Sequence, residues 1–235
     1  MTALLSNIAL QWKLNLRDKE IITVFYIVPL VFYLFMSGIF KTIMPGMDQT
    51  IIPTMCVFGA TMGAMLGSPA PLIAVFATDI KKSYLVGGVP LYSALIVNFV
   101  SAFIHIFIMS CIIVFTAPIF FNATLPTNLT FWIGLILFIF ASLSISSIFG
   151  LYVKDSSKAS MLGQCIFLPT VMLSGIMIPS SMLPSIFTTF AKILPGTWGF
   201  ELMISNELTM QPILFLVVIS IAGLIICFGK TLKSN

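Results

Sequence analysis

Few side chains in this sequence could do chemistry, and their settings argue for structure instead. Gly229-Lys230-Thr231 spells the end of a phosphate-binding loop, in which the lysine reaches phosphates and the hydroxyl reaches magnesium. That loop also needs a glycine five positions before Gly229. Leu224 stands there, Gly223 is one residue off, and the triplet closes an apolar run instead of following a strand. It is rejected as a nucleotide site. His105 is the sole histidine and lies inside another apolar run, where packing or hydrogen bonding is the plainer role. Cys56, Cys111, Cys165 and Cys227 are scattered through such runs with no Cys-x-x-Cys pair, so they read as small hydrophobes. There is no HExxH, no GxSxG and no paired-carboxylate cluster. The sequence offers no catalytic, cofactor-binding or metal residue. What remains is a charged cluster, Asp79, Lys81 and Lys82, and an isolated Glu201 beside Trp198 and Phe200.

The elements that position these residues are set by composition. Apolar residues make up 59% of the chain and charged ones only 8%, against about a quarter charged in a soluble domain. The apolar residues fall in six long runs: Ile21–Phe40, Ile51–Phe76, Leu91–Pro118, Phe131–Val153, Ala159–Ile178 and Gln211–Phe228. None holds Asp, Glu, Lys or Arg, and crossing the hydrocarbon core takes about 20 apolar residues. The expected fold is an all-α integral membrane bundle of six transmembrane helices. Asp79, Lys81 and Lys82 between the second and third runs demand a polar connector over 78–90, since each charge at mid-membrane would cost about 2.5–3.5 kcal/mol. Nine of the eleven Lys and Arg residues (Lys13, Arg17, Lys19, Lys81, Lys82, Lys154, Lys158, Lys230 and Lys233) fall on one side; Lys41 and Lys192 fall on the other. By the positive-inside rule both termini are cytoplasmic. No basic stripe with interleaved aromatics suggests nucleic acid.

Before the first run, Leu5, Ile8, Ala9, Trp12 and Leu16 recur at helical spacing while Asn7, Gln11, Lys13, Asn15 and Arg17 take other faces. Residues 1–20 thus read as an amphipathic helix on the inner membrane interface, with Trp12 at headgroup level beside Lys13 and Arg17. The basic residues come too late for a signal peptide. Gly59, Gly63 and Gly67 share one face of the second run, the pattern of a close helix–helix contact. Pro69 and Pro71 should kink that run and free carbonyls that need partners. Ser142, Ser146 and Gly150 form a similar stripe, suited to a compact bundle or to a contact between copies. Residues 179–210 are broken by Pro179, Pro184 and Pro195. Leu183, Ile186, Phe187, Phe190 and Leu194 make one apolar face there, which predicts a short helix followed by a turn at Pro195–Gly196.

The order of parts resembles the membrane subunit of type-two ATP-binding-cassette (ABC) exporters, a largely bacterial family. The resemblance covers about residues 5–230. It is carried by Ser146-Ser147-Ile148-Phe149-Gly150-Leu151, then Lys154-Asp155-Ser156-Ser157-Lys158-Ala159, Phe167-Leu168-Pro169 and Met172-Leu173-Ser174-Gly175-Ile176. Pro179, Met182-Leu183-Pro184, Ala191-Lys192-Ile193-Leu194-Pro195 and Trp198 follow. It implies a single domain over 1–235, in a bacterial cell membrane, with ATP and magnesium held by a separate ABC ATPase subunit. Asp79–Leu85 would be the coupling helix that docks on that ATPase, with Asp79, Ile80, Lys81, Lys82, Tyr84 and Leu85 as its contacts. The Glu- and Arg-rich opening and Gly-Thr of many members are missing here. The N-terminal helix would be the interfacial connecting helix. Pro179–Glu201, with Pro184, Pro195 and Trp198, would be the outer helices covering the substrate path. A second permease chain, identical or similar, would complete that path.

Two other readings compete. A self-contained carrier or channel is disfavoured by the lack of charge within the runs, since ion-coupled carriers commonly place such groups at mid-membrane. A membrane enzyme is disfavoured by the lack of a catalytic cluster. Short outer loops suit an amphiphilic substrate leaving through the membrane, such as a drug, a lipid-like molecule or an antimicrobial peptide.

Overall fold

The computed structural model describes residues 2–43 and 49–233, which are helical with no strand among them. Helix α1 spans Thr2–Asn15. Five helices are long and apolar enough to cross a membrane: α2 (Lys19–Ile43), α3 (Ile51–Phe76), α5 (Leu91–Phe121), α6 (Leu129–Tyr152) and α10 (Met210–Leu232). Between them lie α4 (Ile80–Val86), α7 (Ser156–Leu173), α8 (Ser185–Ala191) and α9 (Pro195–Ile204). Local chemistry sets the ends. Asp18 caps α2 by accepting from the Glu20 and Ile21 amides, and Asp155 caps α7 through the Ser157 and Lys158 amides. At the end of α7 the Ser174 amide donates to Thr170 O, and Gly175 follows in the left-handed region at φ +81°.

Helix α3 is the axis of the bundle. Its apolar stretch is 94% buried, against 28% for α2 and α10, whose Val31, Phe35, Leu214, Val218 and Ile225 face outward. The three glycines of α3 explain how neighbours come so close. A Cβ at Gly63 would sit 3.0 Å from both Ile106 and Phe25, one at Gly67 3.1 Å from Phe25, and one at Gly59 2.5 Å from Met109 Cε. Their hydrogens leave room for the Phe25 ring of α2 and for α5.

The predicted kink takes a specific form. Thr23–Ile27 and Gly63–Gly67 are π-turns. In each the next residue reaches back five positions, Val28 N–H to Thr23 O and Ser68 N–H to Gly63 O, and in each a proline follows, Pro29 and Pro69. A proline within a helix has no N–H for the carbonyl four residues back. The wider turn absorbs that break, and Asn98 Nδ2 donates to Ser68 O at 3.1 Å.

Two sequence expectations change, and the small-residue stripe of α6 takes the compact-bundle alternative. The run Ala159–Ile178 becomes a helix that starts at Ser156 and stops at Leu173, after which 174–178 bend without helical pairing. At 18 residues it is about 27 Å long, and it is not among the five long apolar helices. Pro195–Gly196 is no turn: Pro195 opens α9, a favoured first helical position because its missing N–H would be unpaired anyway. The stripe Ser142, Ser146 and Gly150 is buried within the chain, with Ser146 Oγ 2.7 Å from Ser68 Oγ and Gly150 against Leu72.

Gly163 of α7 lies against the Met65 carbonyl of α3, where any Cβ would collide with it. Gly163→Ala should therefore lower stability by about 1–3 kcal/mol, read as an earlier melting midpoint in detergent. Gly59→Ala should cost less, because the first atoms its methyl meets are the rotatable thioether end of Met109. Equal losses would show that the Met65 carbonyl yields as easily as a side chain.

Candidate functional site

The charged cluster between α3 and α5 forms the most exposed helix of the basic end. In α4 none of the residues is buried, and Ile80, Leu85 and Val86 are exposed beside Lys82, Tyr84 being half-buried. The helix is well terminated despite its seven residues. Thr78 Oγ1 accepts from the Ile80 amide at 3.2 Å. At the other end Val89 N–H donates to Tyr84 O and Gly88 N–H to Leu85 O, with Gly88 at φ +65°, the paired bonds of a Schellman stop. Lys82 Nζ meets Asp79 Oδ1 at 2.8 Å, but both are strongly exposed, so the pair adds little stability. The helix thus shows Ile80, Leu85 and Val86 at the surface among its lysines.

Helix α1 carries Trp12, Lys13 and Arg17, and here the polar face was misjudged. Asn15 is 2% exposed; it donates to Ser101 Oγ of α5 at 3.1 Å and accepts from Gln11 at 2.8 Å. Trp12 is half-buried, its ring 5.9 Å from that of His105. Leu10, Leu14 and Leu16 are exposed, as are Lys13 and Arg17; the side chain of Leu5 lies outside the described residues. The helix turns the Asn15 amide inward because α5 offers Ser101 as its partner. His105 itself is buried, with Tyr26 Oη 2.8 Å from its Nδ1 and the Phe25 ring stacked at 5.4 Å.

At the far end Pro179 precedes a single 3-10 turn, Pro184 precedes α8 and Pro195 opens α9. Trp198 is buried, donates to Lys192 O at 2.7 Å and packs 5.2 Å from Phe215. Glu201 is exposed on α9. The apolar face of α8 does not close onto the bundle. Ile186, Phe187 and Phe190 border an open apolar groove of about 470 Å³ with Leu168, Pro169, Met172 and Leu173 of α7. The Gly229-Lys230-Thr231 triplet is helical: Thr231 Oγ1 donates to Phe228 O at 3.0 Å and Lys230 lies 5.0 Å above the Tyr152 ring.

The structure thus brings Gly63 and Gly67 together with Phe25, Gly59 with Met109 and Pro29, and Trp12 with His105. The polar contacts of Asn15, Ser68, Asn98 and Ser101 were missed, although Asn98 is an amide inside a span and such groups need internal partners.

The family model for the ABC-2 type transporter matches residues 2–208. The chain belongs to the ABC-2 type transporter family. No curated protein and no solved structure matches it. As an ABC-2 membrane domain it is a transport component, a multi-pass permease, and not itself catalytic.

If Asn15 and Ser101 hold α1 to the bundle through one bond, Asn15→Ala and Ser101→Ala should each cost about 1 kcal/mol and speed tryptic cleavage after Arg17. The double variant should be cut no faster than the faster single. Effects that multiply in the double variant would show that the two side chains act separately.

Proposed function

We propose that this permease is half of an ATP-driven exporter in a bacterial cell membrane, worked by a separate ABC ATPase that holds ATP and magnesium. The observation that carries the reading is α4: a capped helix with no buried residue and with Ile80, Leu85 and Val86 exposed around Lys81 and Lys82, in a chain of the ABC-2 family. In this reading α7 with residues 174–178 makes a sixth crossing, both termini are cytoplasmic, and α1 rests on the inner leaflet with Lys13 and Arg17 toward lipid headgroups. A second permease chain is part of the proposal. Helix α7 exposes Gln164 as well as Met161, Leu168 and Met172. An exposed amide on a crossing helix is costly against lipid, and a partner chain or a wet path beside it removes that cost. The apolar groove between α7 and α8, with Pro179, Pro184, Pro195, Trp198 and Glu201 around the outer segment, suits release of an amphiphile. Among the described residues no carboxylate or cation is buried, which supports an external source of work over the alternative of a self-contained carrier or channel.

A pull-down of the tagged chain from mild detergent tests this. An ABC ATPase should copurify with the wild type and be lost or weakened with Lys81→Glu plus Lys82→Glu. Retention in the double variant would move docking away from the lysines. A chain that never binds an ATPase and moves solute alone would be a carrier or channel.

A further inference from the structure

The two π-turns are a matched pair. Each is five residues long, each is followed by one residue and then a proline, and they lie on antiparallel neighbours, α2 and α3. They also touch. Phe25, inside the first π-turn, lies against Gly63 and Gly67, which bound the second, and Pro29 lies against Gly59. A lone π-turn commonly marks an inserted residue in one helix. Two in register across one contact break the hydrogen-bond ladders of both helices at the same depth.

Along α3 the surroundings divide at that depth too. The large apolar core, which takes in Ile21 and Phe25 of α2, runs along α3 from Ile51 to Ala64. Beyond the break lies a separate small cluster of Leu72, Leu95, Leu151 and Cys227. Ser68 sits at the boundary and is pinned on two sides, its carbonyl by Asn98 of α5 and its hydroxyl by Ser146 of α6. Past this point the chain is continuous helix from Pro69 to Phe76. It is tied to α4 by the Ala77 amide on Ile73 O, the Thr78 hydroxyl on Ala74 O and the Lys81 amide on Thr78 O.

We propose that the paired π-turns of α2 and α3 form a hinge, with Ser68 as its pivot, about which Pro69–Phe76 and α4 swing as one lever relative to the outer bundle. The lever's use rests on the coupling role proposed above; the hinge itself does not. A fixed pivot with a break beside it converts a push on α4 into rotation instead of sliding. The glycines matter because Phe25 can roll across Gly63 and Gly67 where side chains would interlock. Only a small apolar cluster has to rearrange as the lever moves, whereas the outer core stays packed.

The test uses the full chain in lipid nanodiscs without any ATPase. The native cysteines are replaced by alanine, and spin labels are placed at the exposed Ser83 of α4 and Ser157 of α7. The hinge predicts a two-peaked distance distribution. Pro69→Ala restores an N–H where the ladder breaks and should collapse it to one peak. Pro29→Ala, the matched change on α2, serves if the first variant does not fold, with the same expected collapse. A third protein joins Ser68→Cys to Ser146→Cys, whose hydroxyls stand 2.7 Å apart. That disulfide fastens the pivot alone, so both peaks should persist. A single peak in the parent, no effect of the proline changes, or loss of the second peak on fastening the pivot would each overturn the hinge. ATPase copurification is scored separately, so a failed hinge and a failed coupling role give different results.

Discussion

Pro69 has no N–H to give, and in hydrocarbon no water stands ready to satisfy the carbonyl it leaves behind. Much of this bundle follows from meeting that demand, and the same demand at Pro29, inside the chain. The helix widens to a π-turn so that Ser68 reaches Gly63 O. The Met65 carbonyl is covered by Gly163, the only kind of residue that fits against it. The Ser68 carbonyl takes a bond from Asn98. Asn98 and Gly163 come from different helices, so one stretch of α3 backbone draws α5 and α7 against it. Lipid supplies no hydrophobic drive between helices. Backbone demand and close glycine contact supply the specificity that water would otherwise enforce.

The long apolar helices were legible because absence of charge over 20 residues is a strong, local signal. The ends of the fifth run were not: the helix starts three residues before Ala159, at the Asp155 cap, and stops five before Ile178. The register of the π-turns was not, because it is decided by what sits opposite: Phe25 and Gly63 are far apart in sequence and meet only in the folded chain. Asn15 was read as solvated for the same reason. Its partner, Ser101, is 86 positions away, and a helical wheel shows the face of a residue and not its neighbour. Helix α9 was missed because a proline and two glycines around Trp198 look like loop. Gly196 and Gly199 instead allow contact with Thr170 and Phe138. Among the site residues, the exposed α4 was the most legible part, since charge between two apolar runs has few other places to go.

Some of the buried polar groups form a layer between helices, while others, such as Ser37, Thr54 and Ser110, have no part in it. Asn15 with Ser101, Tyr26 with His105, Asn98 with Ser68 and Ser68 with Ser146 link α1, α2, α3, α5 and α6. Hydrogen bonds in a low-dielectric interior are directional and costly to leave unmade. A layer of them permits few relative positions of the helices it joins, whereas apolar contacts tolerate sliding. That is the property a fulcrum needs: it resists translation while the segment beyond it can turn.

This arrangement bears on why transport here would call on outside work. A carrier that harvests an ion gradient needs a titratable or ion-binding group deep in the bundle whose state changes with the gradient. The layer found here is made of amides, hydroxyls and one histidine pinned by a tyrosine, and no carboxylate or cation among the described residues is buried with it. Its members hold position without carrying charge across. A two-state change in such a bundle is most simply biased from its exposed end, by a ligand that binds the two arrangements unequally. In the proposed coupling, α4 would be the element for that: it has a stop at each end, has no buried residue, and is tied to Pro69–Phe76 through the bonds of Ala77, Thr78 and Lys81.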